Sequence, residues 1–226
     1  MLAPMTQRMH RRWVAVVPVK SPSLGKSRLA GPRAGDRRAL ALAFALDTLD
    51  AIRATPGIAE AVVVTSDDEV AHLAQQRECR VLPDVGGLNP SLIAAAGRFT
   101  GMVVAVCADL PALRPDDLAD ALAQVRDGES AYVADHLGSG TTTYAAPAGG
   151  FEPSFGPDSA RVHESAGAVA LAGDLTTLRR DVDTAGDLEE LAALGLLGRH
   201  TTGVWADRRG AGDAETAGPF RDPPSR

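Results

Sequence analysis

The stretch WVAVVPVKSPSLGKSRLAG, residues 13–31, places a run of apolar residues directly before a basic loop. The run Trp13–Val19 is far shorter than the ~20 apolar residues that a membrane-spanning helix needs. Basic residues precede it, as in a signal peptide, but Lys20 interrupts it and no small-residue cleavage site follows. Its valines favour a strand that is buried on both faces. We therefore predict that this stretch forms the first strand of a buried sheet and the loop that leaves its end.

Similar apolar runs alternate with Ala- and Leu-rich segments along most of the chain. The predicted strands are Trp13–Val19, Ala61–Thr65, Met102–Cys107, Ala131–Ala134 and Thr141–Ala146. The predicted helices are Asp36–Arg53, Asp68–Gln76, Ser91–Arg98, Pro115–Val125 and a segment that starts at Asp158 or Ser159 and runs to Val169. This alternation predicts an α/β fold, a three-layer α/β/α sandwich with a mostly parallel central sheet.

Length and composition predict the domain organisation. The 226 residues suit one domain, residues 13–198, between a flexible N-terminus, 1–12, and a tail, 199–226. The tail is rich in Gly, Pro and charged residues without periodicity, so we predict that it is disordered. The net charge of -6 argues against a nucleic acid partner. Cys79 and Cys107 lack metal-ligand spacing, and we expect both to be buried and reduced, as in a cytoplasmic protein.

The basic loop contains Gly25-Lys26-Ser27, the closing triplet of a Walker A phosphate loop. That motif needs a glycine five residues earlier, where this chain has Lys20. Pro18 and Pro22 also lack the backbone N–H groups that such a loop would donate. The apolar strand that ends near Asp109 resembles a Walker B element, so a P-loop kinase is kept as a less favoured alternative.

Three cations lie close together after the first strand, at Lys20, Lys26 and Arg28. Ligands of open α/β sheets bind beyond the carboxyl ends of the strands. Cations at that edge can neutralise a triphosphate and the charge that develops on leaving pyrophosphate. We therefore predict that Pro18 and these three residues bind a nucleotide, with Lys20 and Lys26 also acting in catalysis. A solvated basic loop is the alternative.

Three carboxylates are the candidate metal ligands. Asp109 follows the strand MVVAVC, and Asp181 and Asp183 are separated by one residue. In an extended segment, residues i and i+2 point to the same face, so these two side chains converge. Three carboxylates in one cleft repel one another unless a hard cation lies between them, and oxygen-only ligands favour Mg²⁺. We predict one or two Mg²⁺ ions; the alternative is that Asp183 or Thr184 caps the next helix.

Five motifs, in this order and spacing, resemble the guanylyltransferases of coenzyme F-420 biosynthesis. They are VPVKSPSLGKSRLA, GLNPSLIAAA, CADLPAL, FGPDSARVHESAGA and DVDTAGDL. The resemblance extends from about Trp13 to Leu197, is strongest to actinobacterial members, and implies a GT-A, nucleotide-diphospho-sugar transferase-like fold. It implies GTP-dependent guanylyl transfer to phosphoenolpyruvate, a small phosphorylated three-carbon acid, with release of pyrophosphate. Archaeal relatives act on 2-phospho-L-lactate instead, and the residues alone do not decide between these acceptors.

The resemblance also implies contacts for several site residues. Thr141, Gly156 and Ser159 match the positions that contact phosphoenolpyruvate, and Asn89 and Ser91 match a loop near the guanine and ribose. A helix that starts at Ser159 would add free N–H groups and the positive end of its dipole, which together form an anion site. A capped helix after a turn explains the same residues equally well.

Two further residues have alternative roles. Asp67, after the second strand, suits hydrogen bonds from guanine N1–H and N2–H₂, and it suits an N-cap of the next helix equally well. His163 lies inside a predicted helix, where a histidine is more often packed or exposed than catalytic. A catalytically silent nucleotide-binding domain is a second alternative function. The sequence leaves open a homodimer and coupling to the next enzyme of the pathway.

Overall fold

The computed structural model of the chain describes residues 12–21 and 34–216, with residues 34–36 and 208–216 as backbone. The strands are β1 (Trp13–Pro18), β2 (Ile58–Thr65), β3 (Arg80–Pro83), β4 (Met102–Val106), β5 (Ala131–Ala134), β6 (Thr141–Pro147) and β7 (Val169–Ala170). The helices are α1 (Ala34–Ala54), α2 (Asp68–Gln75), α3 (Leu88–Ala96), α4 (Pro115–Gln124), α5 (Ser159–Ser165), α6 (Thr176–Arg179), α7 (Ala185–Ala193) and α8 (Arg199–Thr216). The predicted flexible N-terminus lies outside the described residues except for Arg12.

The seven strands form one mostly parallel sheet in the order β3-β2-β1-β4-β6-β5-β7. Strand β1 pairs in parallel with β2 and β4, and β2 pairs in parallel with β3. Strand β6 runs antiparallel to both β4 and β5, while β7 is parallel to β5. The five predicted strands are confirmed with small shifts at their ends. Strands β3 and β7 were not predicted, because two to four residues carry too little of a periodic pattern.

Helices cover both faces of the sheet, which confirms the three-layer prediction. Along β1, Ala15 and Val17 belong to one buried cluster, and Val14 and Val16 belong to another. Side chains alternate between faces along a strand, so these clusters lie on opposite faces. Residues of α1 and α4 complete the first cluster, and residues of α3 and α5 complete the second.

The segment after Asp158 is a shorter helix than the sequence predicted. Helix α5 ends at Ser165, and Val169 lies in β7 beside β5 instead of in the helix. The chain turns at Gly167, whose φ of 89° lies in the left-handed region that favours glycine. The glycine therefore separates the helix from the edge strand.

The prediction of a disordered tail from residue 199 is wrong for the described part of that tail. The carboxylate of Asp47, on α1, accepts hydrogen bonds from the N–H groups of His200 (3.0 Å) and Thr201 (2.9 Å) and so caps α8. Trp205 packs against a buried cluster that includes Phe44. No local sequence pattern predicts this helix start, because the capping residue lies on a different helix. Residues 217–226 lie outside the described residues.

Both cysteines are free, but only one is buried. Cys79 is buried, as predicted, whereas Cys107 is partly exposed because it follows the last residue of β4 and lines the cavity described below. Among the described helices, none combines the length and apolarity that crossing a membrane requires.

Candidate active site

A cavity of about 230 Å³ opens where β1 and β4 end. These two strands are parallel neighbours in the middle of the sheet. The strand order reverses between them, because β2 and β3 lie on one side of β1 and β4 lies on its other side. Its lining includes Pro18, Lys20 and Ser21 after β1, and Cys107 and Asp109 after β4. Ligands of open α/β sheets bind in such a crevice, so the sequence placed Pro18, Lys20 and Asp109 at the expected edge.

A buried threonine on α1 holds the turn that carries Asp109. The hydroxyl of Thr48 donates to the carbonyl oxygen of Phe44 (2.8 Å) and accepts from the N–H of Leu110 (3.2 Å). Thr48 has no exposed surface. Its hydroxyl therefore fixes the backbone next to Asp109, a role that sequence reasoning missed because the two residues are far apart in the chain.

The three candidate metal ligands converge as the sequence predicted. The N–H of Val182 donates a 3.0 Å hydrogen bond to the carbonyl oxygen of Asp109, which places the segment 181–183 beside the end of β4. The side chain of Val182 is buried, whereas Asp181 is partly exposed and Asp183 is exposed. One carboxylate oxygen from each aspartate lies within 4.8 Å of the others. That they bind a metal stays a prediction.

The electrostatics of this cluster suit a cation. Burial, followed by the negative charges of Asp109 and Asp183, raises the pKa of Asp181 to about 6. A neighbouring group that the sequence analysis missed is His136, whose Nδ1 lies 3.7 Å from Oδ1 of Asp181. The donors of the cluster are all oxygens, which is the set that Mg²⁺ prefers. The residues present therefore fit a divalent cation.

Thr184, and not Asp183, caps α7. The Thr184 hydroxyl accepts from the N–H of Asp187 (3.3 Å), and the Asp187 carboxylate accepts from the N–H of Thr184 (2.7 Å), which together form a capping box. The same carboxylate accepts from the N–H of Asp183 (3.1 Å). The capping box therefore holds the backbone of Asp183 without using its carboxylate as the cap.

Asp67 is a helix cap in the structure. One carboxylate oxygen accepts from the N–H groups of Glu69 and Val70, both at 3.1 Å, at the start of α2. The other oxygen accepts from the hydroxyl of Ser21 (2.8 Å), which ties the loop after β1 to the end of β2. The Ser21 hydrogen bond is the main cause that lowers the pKa of Asp67. Both carboxylate oxygens therefore already accept hydrogen bonds within the protein. Contact of Asp67 with guanine stays a prediction.

Of the other residues predicted to bind the nucleotide, two lie outside the described residues and two form hydrogen bonds within the protein. Lys26 and Arg28 lie outside the described residues, so their roles stay predictions. Ser91 is buried, and its hydroxyl donates to Asp84 (2.6 Å) and accepts from the N–H of Val85 (3.1 Å). Asn89 pairs with the backbone of Phe155, donating to its carbonyl oxygen (3.0 Å) and accepting from its N–H (2.9 Å).

Thr141, a predicted acceptor residue, contacts the side chain of His163 in the protein interior. The Thr141 hydroxyl lies 3.0 Å from Nδ1 of His163, and Nε2 of His163 accepts from the N–H of Ser154 (2.8 Å). His163 is buried and stacks on Tyr144, with 4.7 Å between ring centroids. Burial lowers its pKa, so the neutral form is favoured. His163 is therefore a packed histidine, one of the two roles that the sequence favoured.

Gly156 and Ser159 flank the start of α5. Gly156 has a φ of 148°, and Asp158 has a φ of 53°, so the turn depends on unusual backbone conformations. The N–H of Ser159 donates to the carbonyl oxygen of Gly156 (3.2 Å), and that of Ala160 donates to Ser139 (3.1 Å). These two N–H groups are already bonded, so the predicted anion site at this helix start lacks them as donors.

The fold is that of the GT-A-like nucleotidyltransferases. A solved nucleotidyl transferase from Methanothermobacter superposes with a TM-score of 0.59 at 18% identity, covering 80% of this chain and 95% of that one. At this identity the likeness shows the fold alone. The family model of the MobA-like NTP transferase domain matches residues 37–182.

Two similar proteins refine the class. Phosphoenolpyruvate guanylyltransferase of Salinispora arenicola is 46% identical in an alignment of 195 positions that covers 83% of this chain and 91% of the relative. The protein of the same name from Nocardia farcinica is 47% identical in an alignment of 193 positions that covers 80% of this chain and 85% of the relative. The chain therefore belongs to the MobA-like NTP transferases and, among them, to the phosphoenolpyruvate guanylyltransferase family. This membership overturns the P-loop kinase alternative.

Proposed function

We propose that the protein transfers the guanylyl group of GTP to phosphoenolpyruvate and releases pyrophosphate. The observation that carries this proposal is the convergence of Asp109, Asp181 and Asp183 beside the cavity, in a chain closely similar to proteins named for this activity. The product is enolpyruvyl-2-diphospho-5'-guanosine. By resemblance it serves coenzyme F-420 biosynthesis in the cytoplasm, where GTP and phosphoenolpyruvate are made, and the next enzyme passes it to a deazaflavin.

The reaction needs positioning and charge stabilisation more than proton transfer. The phosphate of the acceptor is already ionised near neutral pH, so it needs no general base. One of its oxygens attacks the α-phosphorus of GTP in line, and the bond from that phosphorus to the leaving pyrophosphate breaks. Holding the two anionic substrates together and neutralising their charge therefore account for catalysis.

The three aspartates are the residues that would hold the metal. Asp109, Asp181 and Asp183 would bind one or two Mg²⁺ ions, because their carboxylates converge and supply oxygen ligands alone. Bound Mg²⁺ would supply charge stabilisation to the phosphoryl oxygens. The raised pKa of Asp181 supports this assignment, since the cluster opposes its own full ionisation without a cation.

The remaining residues divide between the two substrates. Lys20 is exposed at the cavity, and with Lys26 and Arg28 it would neutralise the triphosphate. Thr141, Gly156 and Ser159 would orient the acceptor.

The test is pyrophosphate release from GTP and Mg²⁺ with phosphoenolpyruvate and 2-phospho-L-lactate offered in parallel. The next pathway enzyme and a deazaflavin acceptor should be present to drain an unstable product. Asp109→Asn is the inactive comparison, and Asp120→Asn, an exposed aspartate on α4, is its matched control. We expect turnover with phosphoenolpyruvate. Turnover only with 2-phospho-L-lactate would change the acceptor, and release with neither would contradict the proposal and favour a silent nucleotide-binding domain.

A further inference from the structure

The segment Ser154–Asp158, named here the acceptor loop, is held by side chains from two different helices. The N–H of Ser154 donates to Nε2 of His163 on α5 (2.8 Å), and the N–H of Phe155 donates to Oδ1 of Asn89 on α3 (2.9 Å). The side-chain NH₂ of Asn89 donates a hydrogen bond to the carbonyl oxygen of Phe155 (3.0 Å). Residues 151–155 form no helix or strand, so these side chains take the place of regular backbone pairing.

We propose that Asn89 and His163 are positioning residues that fix the acceptor loop for binding of the phosphorylated acceptor. This proposal rests on the proposed function. It gives Asn89 a role different from the base or ribose contact that the resemblance implied. The amide of Asn89 already donates one bond and accepts one bond within the protein.

The acceptor loop borders the cavity and also contains Gly156, one of the predicted acceptor residues. The side chain of Phe155 lines the same cavity as Lys20 and Asp109. Its ring also packs edge-on against His163, with 5.7 Å between centroids. Gly156 follows directly, so a shift of Phe155 moves both the cavity wall and a predicted acceptor contact.

The hydrogen bonds of His163 also fix how Thr141 can act. Because the N–H of Ser154 donates to Nε2, this nitrogen carries no proton, and the neutral ring carries its proton on Nδ1. Nδ1 therefore donates to the Thr141 hydroxyl at 3.0 Å. Burial lowers the pKa of His163, which favours this neutral ring, and a hydrogen bond to the backbone of Ser159 only partly opposes the shift. The Thr141 hydroxyl keeps its own proton to donate to an anionic ligand.

Loss of either positioning residue should therefore act on one substrate. Asn89→Ala removes the partner of both the N–H and the carbonyl group of Phe155, and His163→Phe keeps an aromatic ring but removes both ring nitrogens. The loop after β1 is predicted to hold the triphosphate, and its described part is tied through Ser21 to Asp67 at the end of β2. We expect the KM for phosphoenolpyruvate to rise about tenfold in each variant, while the KM for GTP changes by less than about twofold.

The experiment combines steady-state kinetics with amide hydrogen exchange on the full-length protein. Ile93→Ala, on the exposed side of α3, is the matched control for Asn89→Ala, and it should change neither KM. Exchange is measured on substrate-free protein, and peptides covering residues 152–158 are compared with peptides covering β1 and β2. We expect faster exchange at 152–158 in both positioning variants, with unchanged protection in the two strands, which reports an intact fold.

The outcomes separate this inference from the proposed function. A rise in the KM for GTP without a rise for the acceptor would overturn it and assign Asn89 to the nucleotide. Unchanged exchange at 152–158 in Asn89→Ala would overturn it whatever the activity. Wild-type protein that fails with every acceptor, while Asn89→Ala still loosens residues 152–158, would remove the proposed function and support the loop contacts.

Discussion

The N–H of Val182 and the carbonyl oxygen of Asp109 form a 3.0 Å hydrogen bond that joins two distant segments of the chain at the candidate metal site. Val182 is fully buried, and the residues on either side of it carry their carboxylates towards Asp109. A single backbone bond thus aligns an extended segment with the end of β4. Burial of Val182 and its backbone hydrogen bond hold the segment in place, and the two aspartates on either side supply the predicted metal ligands.

Asp181→Asn should stabilise the protein in the absence of metal while removing most of its activity. The folded state raises the pKa of Asp181 to about 6 from 3.8, so it binds a proton more tightly than the unfolded state does. The ionised carboxylate therefore opposes folding by up to about 3 kcal/mol above the folded pKa, and this cost disappears as the pH falls towards the unfolded pKa. Turnover should fall by about a hundredfold or more.

Urea unfolding in a chelator measures this prediction at two pH values. Asp181→Asn should be more stable than wild type at about pH 7.5 and nearly equal to it at about pH 4. Asp120→Asn should show neither change, since its side chain is exposed on α4. Equal stability of wild type and Asp181→Asn at both pH values would mean that the ionised carboxylate of Asp181 does not destabilise the folded protein.

Removal of Mg²⁺ should lower the thermal stability of the wild-type protein. A ligand that binds only the folded state stabilises it by about 2.7 kcal/mol at a concentration a hundredfold above its Kd. Thermal unfolding is compared in Mg²⁺ and in chelator, for wild type and for Asp109→Asn. The expected shift in wild type should be absent in the variant, and an equal shift in both would place the metal elsewhere.

Thr48→Val should reduce both stability and turnover although Thr48 touches no predicted substrate. The change leaves the N–H of Leu110 buried without the hydroxyl that now accepts from it, at a cost of about 1 to 3 kcal/mol. The backbone beside Asp109 then loses its tie to α1. Urea unfolding and pyrophosphate release measure the two effects. Thr48→Ser should restore most of both, and a fully active valine variant would show that the tie does not position Asp109.

Lys20→Ala should weaken the use of GTP more than that of the acceptor. Lys20 is exposed at the mouth of the cavity, where its charge would meet the triphosphate. We expect the KM for GTP to rise by about tenfold, the size of one charge-assisted contact. Lys20→Arg keeps the charge and should lose less. A change confined to the KM of phosphoenolpyruvate would move Lys20 to the acceptor side.

The sequence predicted the features that local patterns encode. Apolar runs predicted five of the seven strands that the described residues form, and the spacing of Asp181 and Asp183 predicted that their carboxylates share a face. What it could not predict depends on partners from distant segments. Asp47 caps α8, and Thr48 holds the turn at Asp109, yet neither has a local pattern that marks it. Asn89 illustrates the same limit, because its partner Phe155 follows 66 residues later.

The oxygen atoms of the acceptor phosphate report directly on which bond forms in the reaction. Phosphoenolpyruvate labelled with ¹⁸O in its phosphate is incubated with unlabelled GTP, Mg²⁺ and the wild-type protein, and the products are analysed by mass spectrometry. If an oxygen of the acceptor attacks the α-phosphorus, the nucleotide product retains all of the label and the released pyrophosphate carries none. Label in pyrophosphate, or formation of GDP in place of a guanylylated acceptor, would rule out attack of the acceptor phosphate on the α-phosphorus of GTP.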